Sequence, residues 1–135
     1  MSNRRIRNIL ESRLSAWAQA KPIPMAVQNF AFDPVDGVFL SFSIIPAETG
    51  SEDEEGAHRL YTGIFQVSVV MPKNKGTSEA ETIAEELDAL FPKNLRLEDD
   101  GFVVTIIRPM SAGPLISESD KATLPVYCAY RADTI

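Results

Sequence analysis

Along the first twenty residues the apolar positions fall at Ile6, Ile9, Leu10, Leu14 and Trp17, the i, i+3, i+4, i+8, i+11 spacing of one helical face. An amphipathic helix is predicted from about Asn3 to Ala20, and Ser2 or Asn3 can cap its first turn. It should stop at Lys21-Pro22-Ile23-Pro24, because each proline lacks an N–H and drives its predecessor into extended conformations. A short strand from Val27 to Phe32 follows and is closed by the turn residues Asp33-Pro34-Val35-Asp36-Gly37. The period then switches to two: Val38, Leu40, Phe42 and Ile44 alternate with Phe39, Ser41 and Ser43, the mark of a strand.

A second strand reads from Leu60 to Met71, with Tyr61, Phe65, Val67, Val69 and Met71 on one face and Thr62, Gln66 and Ser68 on the other. At ~3.3 Å per residue it is roughly 40 Å long, about the diameter of a globule of this chain length. The ribbon made with the preceding strand should therefore cross the whole domain and present its tip at or beyond the edge. Ser78-Glu79-Ala80-Glu81 fits the S-x-x-E start of a helix whose buried stripe is Ile83, Leu87, Leu90 and Phe91, and Pro92 ends it. A weak strand at Asn94 to Leu97 and the turn Glu98-Asp99-Asp100-Gly101 precede Phe102 to Ile107, which is apolar on both faces and reads as a central strand. Residues 108–123 carry two prolines and a glycine and read as an irregular connection. The chain closes with a strand from Leu124 to Ala132.

The expected order is αβββαβββ: an α+β fold, one domain over residues 1–135, with a mixed or antiparallel sheet, a long β-hairpin and two helices packed on it. A chain of this size can bury roughly two thirds of its unfolded surface. At 44% hydrophobic and 24% charged residues it has the composition of a globular protein.

Charge adds an asymmetry. The net charge of −6 argues against a general binder of nucleic acid or anionic membrane, which gains affinity by neutralising phosphates. Residues 1–21 nevertheless hold Arg4, Arg5, Arg7, Arg13 and Lys21 against Glu11, a local +4. The opposite pole is PAETGSEDEEGAHR, residues 46–59, which places Glu48, Glu52, Asp53, Glu54 and Glu55 at the tip of the ribbon. No apolar run approaches the ~20 residues of a membrane span, and the amino-terminal segment lacks the apolar core of a signal peptide.

Candidate chemistry is sparse. A nucleophile needs a base beside it, and the single histidine, His58, sits at the edge of the acidic stretch, far along the chain from the single cysteine, Cys128. Cys128 alternates with Leu124 and Val126 and reads as a small buried hydrophobe. One His and one Cys cannot supply the usual zinc sets, and Glu52 to Glu55 lack the alternating oxygens and fixed glycine of an EF-hand. No glycine-rich phosphate cradle is present. Neither a catalytic residue, a metal nor a cofactor is expected. Arg108 and Arg131 interrupt otherwise apolar strands and read as edge or interface residues.

The helix RNILESRLSAWA, the following PIPMAVQNFAFDP, the long strand and helix of LYTGIFQVSVVMPKNKGTSEAETIAEELDALF, and the closing LPVYCAYRADT together resemble the tail-terminator proteins of long-tailed bacteriophages. The resemblance covers essentially the whole chain and lies in pattern and element order rather than in a chemical motif. It implies a non-enzymatic virion component, made in the host cytoplasm and placed at the neck of the tail. There a ring of identical subunits, a hexamer in that family, ends polymerisation of the tube protein and offers the docking surface for the head and its connector or completion proteins. DNA would meet such a ring only in passage through its lumen, and no membrane is involved.

The basic helix of one subunit and the acidic tip of the next can meet head to tail, a heterologous contact that closes into a ring when the rotation divides a full turn. Rim ion pairs are worth only ~0–1 kcal/mol each, so apolar burial must hold the ring, with Phe39, Leu60 and Ile64 as candidates. Alternatively the acidic tip lines the channel and keeps passing DNA off the wall. The subunit contact is the preferred expectation. The rival functions are another head-to-tail joining protein of the neck, or a small cytosolic enzyme or ligand-binding domain resting on His58 and Cys128.

Overall fold

The computed structural model describes residues 2–26, 37–47, 50–51, 59–73 and 78–134. Helix α1 (Ser2–Ala20) buries Ile6, Leu10, Leu14 and Ala18. Each fully buried aliphatic of this kind contributes about 1.5–3 kcal/mol. By contrast, the exposed pair of Lys21 with Glu86 at 2.6 Å adds ~0–1 kcal/mol, so apolar burial is what docks the helix. Asn3 is not its cap, since its Oδ1 is buried with no hydrogen-bond partner among the described residues. The last turn closes through Lys21 N to Trp17 O (3.1 Å) and Ile23 N to Ala18 O (2.9 Å), after which the prolines take over.

The strands are β1 (Met25–Ala26), β2 (Phe39–Pro46), β3 (Gly50–Ser51), β4 (Arg59–Pro72), β5 (Arg96–Asp99), β6 (Phe102–Ala112), β7 (Ile116–Ser117) and β8 (Lys121–Thr134), with helix α2 (Ser78–Leu90) between β4 and β5. They form one mixed sheet in the order β1-β2-β4-β8-β6-β5, with β3 pairing with β4 and β7 with β8. Among the described residues only β1 and β2 pair in parallel. The expected α+β fold and its αβββαβββ order are present, with β3 and β7 as two-residue continuations of neighbouring strands.

Both helices lie on one side of the sheet. Leu40 and Phe42 of β2, Phe65, Val67, Val69 and Met71 of β4, Phe102, Val104 and Ile106 of β6, and Leu124, Val126, Cys128 and Tyr130 of β8 form the core with the buried stripes of α1 and α2. These are the strand positions whose alternation pointed inward. Phe91 seals the end of α2 by an edge-on contact with Phe65, ring centroids 5.2 Å apart.

Some expectations change. The strand at Asn94 to Leu97 begins only at Arg96, because Asn94 takes a left-handed φ of 73° and the chain turns there, with Leu95 N bonded to Pro92 O. The strand expected over 27–32 lies outside the described residues; the described pairing ahead of β2 is that of β1. The segment 108–123 is not an irregular connection: β6 runs on to Ala112, β7 follows, and both pair with β8 as one long hairpin. Its register shifts between Ile106 and Arg108 and again between Arg108 and Ser111. Such bulges absorb extra residues and place Pro109 where no ladder N–H is needed, which hides the strand from a period-two reading. The centre of the sheet is therefore β4 and β8, with β6 one place further out. The turn from β5 to β6 is tighter than the expected Glu98-Asp99-Asp100-Gly101: β5 runs on through Asp99, and Asp100 and Gly101, with φ of 49° and 78°, take the two left-handed positions of a type I′ hairpin.

Candidate assembly surface

With both helices on one side, the other face of the sheet is covered by no helix among the described residues. The strand pairings define its rows. Ile45 of β2 opposes Ile64 of β4, which opposes Ala129 of β8. On the far side of Ala129 stands Arg108, with Ile107 as the extra residue of the bulge. The next row is Ser43, Gln66, Tyr127 and Ser111. A third row runs Thr62, Arg131, Thr105 and Arg96. Ile45 is 50% exposed, and Ile64, Ile107 and Tyr127 each a little over a third. Four large apolar side chains on one face, amid serines, threonines and small residues, form the kind of patch that marks a contact surface.

Of the sequence-predicted residues, the sheet pairings bring Arg108 and Arg131 to this face and add Arg96, which the sequence reading passed over. Arg131 reaches Asp133 at 3.8 Å. Ile45, Ile107 and Tyr127 were passed over as well. The available signal was the second phase of the strand alternation, which for Ile107 is scrambled by the bulge.

The basic helix has a different fate. Arg5 donates to the carbonyl oxygens of Asp99 (2.6 Å) and Asp100 (3.4 Å) and lies 4.7 Å over the ring of Phe102. Arg13 donates through Nε to the carbonyl of Leu90 at 2.8 Å and sits 5.9 Å over Phe91. Both guanidinium groups stitch α1 to its own chain, while Arg4 and Arg7 remain exposed. Because Arg5 holds the β5–β6 turn, the backbone of Asp99 and Asp100 comes to lie beside the helix. Glu48, Glu52, Asp53, Glu54, Glu55 and His58 lie outside the described residues. Of the apolar candidates, Leu60 and Phe39 are half-buried and Ile64 is exposed, all on the helix-free face.

A groove of about 880 Å³ runs between α1 and β5, lined by Ile9, Ala16, Trp17, Leu90, Leu97 and their polar neighbours Arg13 and Glu98. Ser12 and Asp99 also line it, and no hydrogen bond joins Ser12 to a base among the described residues. Cys128 is buried in the core, and desolvation pushes its thiol up to about 12, far from a thiolate at neutral pH. Among the described residues no three of His, Cys, Asp and Glu gather to hold a metal ion, and no helix is long and apolar enough to cross a membrane.

No match is found among curated proteins. One solved structure is similar to this chain at 43% sequence identity and a TM-score of 0.82, over 98% of this chain and 96% of that one. The family model described as "Phage tail terminator protein" matches residues 5–130. A match of that extent covers both helices and every strand, apart from the first residues of α1 and the final residues of β8: the chain belongs to the phage tail terminator family and is a structural component of the virion tail.

Proposed function

We propose that this protein acts without catalysis, as a hexameric ring on the head-proximal end of the tail tube, where it ends tube polymerisation and offers the surface that receives the head. The observation that supports this beyond family membership is the helix-free sheet face, whose Ile45, Ile64, Ile107 and Tyr127 are partly exposed in the single chain. Repeated around a ring, a surface of this kind gains its burial from identical neighbours and needs no pocket. The tube protein and the connector or completion proteins are the further partners.

The test is a phage carrying a deletion of this gene. Tails should continue past their normal length and remain headless, as measured by electron microscopy, and added protein should restore length control. Tails of normal length that fail only to join heads would instead assign the chain to another joining role in the neck.

For the acidic segment Glu48 to Glu55, the inward commitment of Arg5 and Arg13 favours the channel reading. The basic surface that a neighbour's acidic tip would need is reduced to Arg4 and Arg7, since Lys21 is paired with Glu86. In this reading the segment faces the lumen and repels the passing DNA.

A further inference from the structure

The two sides of the molecule differ in chemistry in a way that suits them to each other. The helix-free face carries an apolar row and, at one corner, Arg96, Arg108 and Arg131, with Asp133 paired to Arg131 and Glu98 one row beyond Arg96. The opposite side displays α2, whose exposed residues include Glu79, Glu85 and Asp88 and which has no basic residue in its last turn. Lys21 neutralises only Glu86. Beside α2, the α1–β5 groove exposes parts of Ile9, Trp17 and Leu97.

We infer that the helix-free sheet face of one copy is covered by the helix side of the next, with Arg108 and Arg96 meeting the acidic face of α2 and the Ile45-Ile64-Ile107-Tyr127 patch meeting the groove side of α1. This rests on the ring reading and names its contact surfaces. The first support is charge complementarity: the arginine corner and the acidic helix are two different surfaces of one chain, as a heterologous contact requires. The second is area. The four strands abreast, β2, β4, β8 and β6, have 8, 14, 14 and 11 residues and give a face of roughly 700 Å². A stable partner surface is about 800 Å². Because the contact joins two different surfaces, it propagates in one direction around the ring, and each copy uses both.

The test is charge exchange. Arg108→Glu and the pair Glu85→Arg with Asp88→Arg should each weaken ring formation at least tenfold in native mass spectrometry and sedimentation across a concentration series, with unchanged circular dichroism. The two sets combined in one chain should regain part of the loss. Equimolar mixing of Arg108→Glu with the α2 variant should restore mixed rings in which the two chains alternate, joined in turn by a parent-like and a charge-swapped contact. Trp17, the sole tryptophan, should shift its emission to the blue on assembly of the parent, and Tyr127 should become protected from hydroxyl-radical labelling. Parent-like rings from every variant, with Tyr127 still labelled, would overturn this contact and leave the ring standing. A parent chain that stays monomeric at all concentrations, alone and with tail tubes, would overturn both.

Discussion

At Gly63 a single missing Cβ decides how β4 and β8 can pack. Gly63 stands opposite Tyr130, and a Cβ there would come within 2.4 Å of the phenol oxygen and 2.6 Å of the Ile45 carbonyl. Tyr130 is fully buried, and its hydroxyl has no hydrogen-bond partner among the described residues. Burial pushes its pKa up, so the ring stays neutral. The glycine thus makes room for the largest buried side chain of the core. Neither the phenol nor the Ile45 backbone can retreat without moving a central strand, so Gly63→Ala should cost about 1–3 kcal/mol, the usual range for overpacking. Urea denaturation of the two proteins checks this: the midpoint should fall with an unchanged slope. The isolated glycine in a strand pattern is a sequence signal for close approach, but its tyrosine partner is set by the β4–β8 register alone.

Among the elements, α2 shows how one helix completes another. Its first turn carries Glu79 and Glu81 at the positive end of the dipole, but its last turn has no cation of its own. Arg13 of α1 supplies that charge from outside, donating to Leu90 O and covering Phe91. Arg13→Ala should therefore destabilise by about 1–2 kcal/mol through a lost charged hydrogen bond and lost packing. Arg7→Ala, on the exposed side of the same helix, should stay within ~0.5 kcal/mol. Thermal melts of the two variants separate these roles, and equal shifts would show that Arg13 acts only as a surface charge. The helices and β2, β4 and β8 were readable because their apolar period is unbroken. The β6–β7 arm was not: its bulges change the register between Ile106 and Ser111, and its pairing partner is supplied by β8.

For the whole molecule the issue is where the charge goes. Reversal of Glu52, Asp53, Glu54 and Glu55 to lysine gives opposite outcomes for the two readings of the acidic segment. If it faces the lumen, rings should form at every salt concentration while DNA ejection slows and particles lose infectivity. Were it a subunit contact, ring formation should weaken, and more so at low salt, where the Debye length grows from ~10 Å at 0.1 M to ~30 Å at 0.01 M. Sedimentation at the two ionic strengths, with an infectivity assay, distinguishes them.

By itself the sequence determined the fold class, the order of the elements, the residues facing the core and the resemblance to tail terminators. All of these follow from local periodicity, proline and glycine stops, and composition, which need no knowledge of distant partners. Tertiary structure decided which charges remain outside. Arg5 and Arg13 look like members of a basic pole until the β5–β6 turn and the end of α2 are packed against them. Arg96, Arg108 and Arg131 are far apart in the chain until antiparallel pairing gathers them on one face. A contact surface is a property of register and layer, and register is fixed only when strands distant in sequence meet.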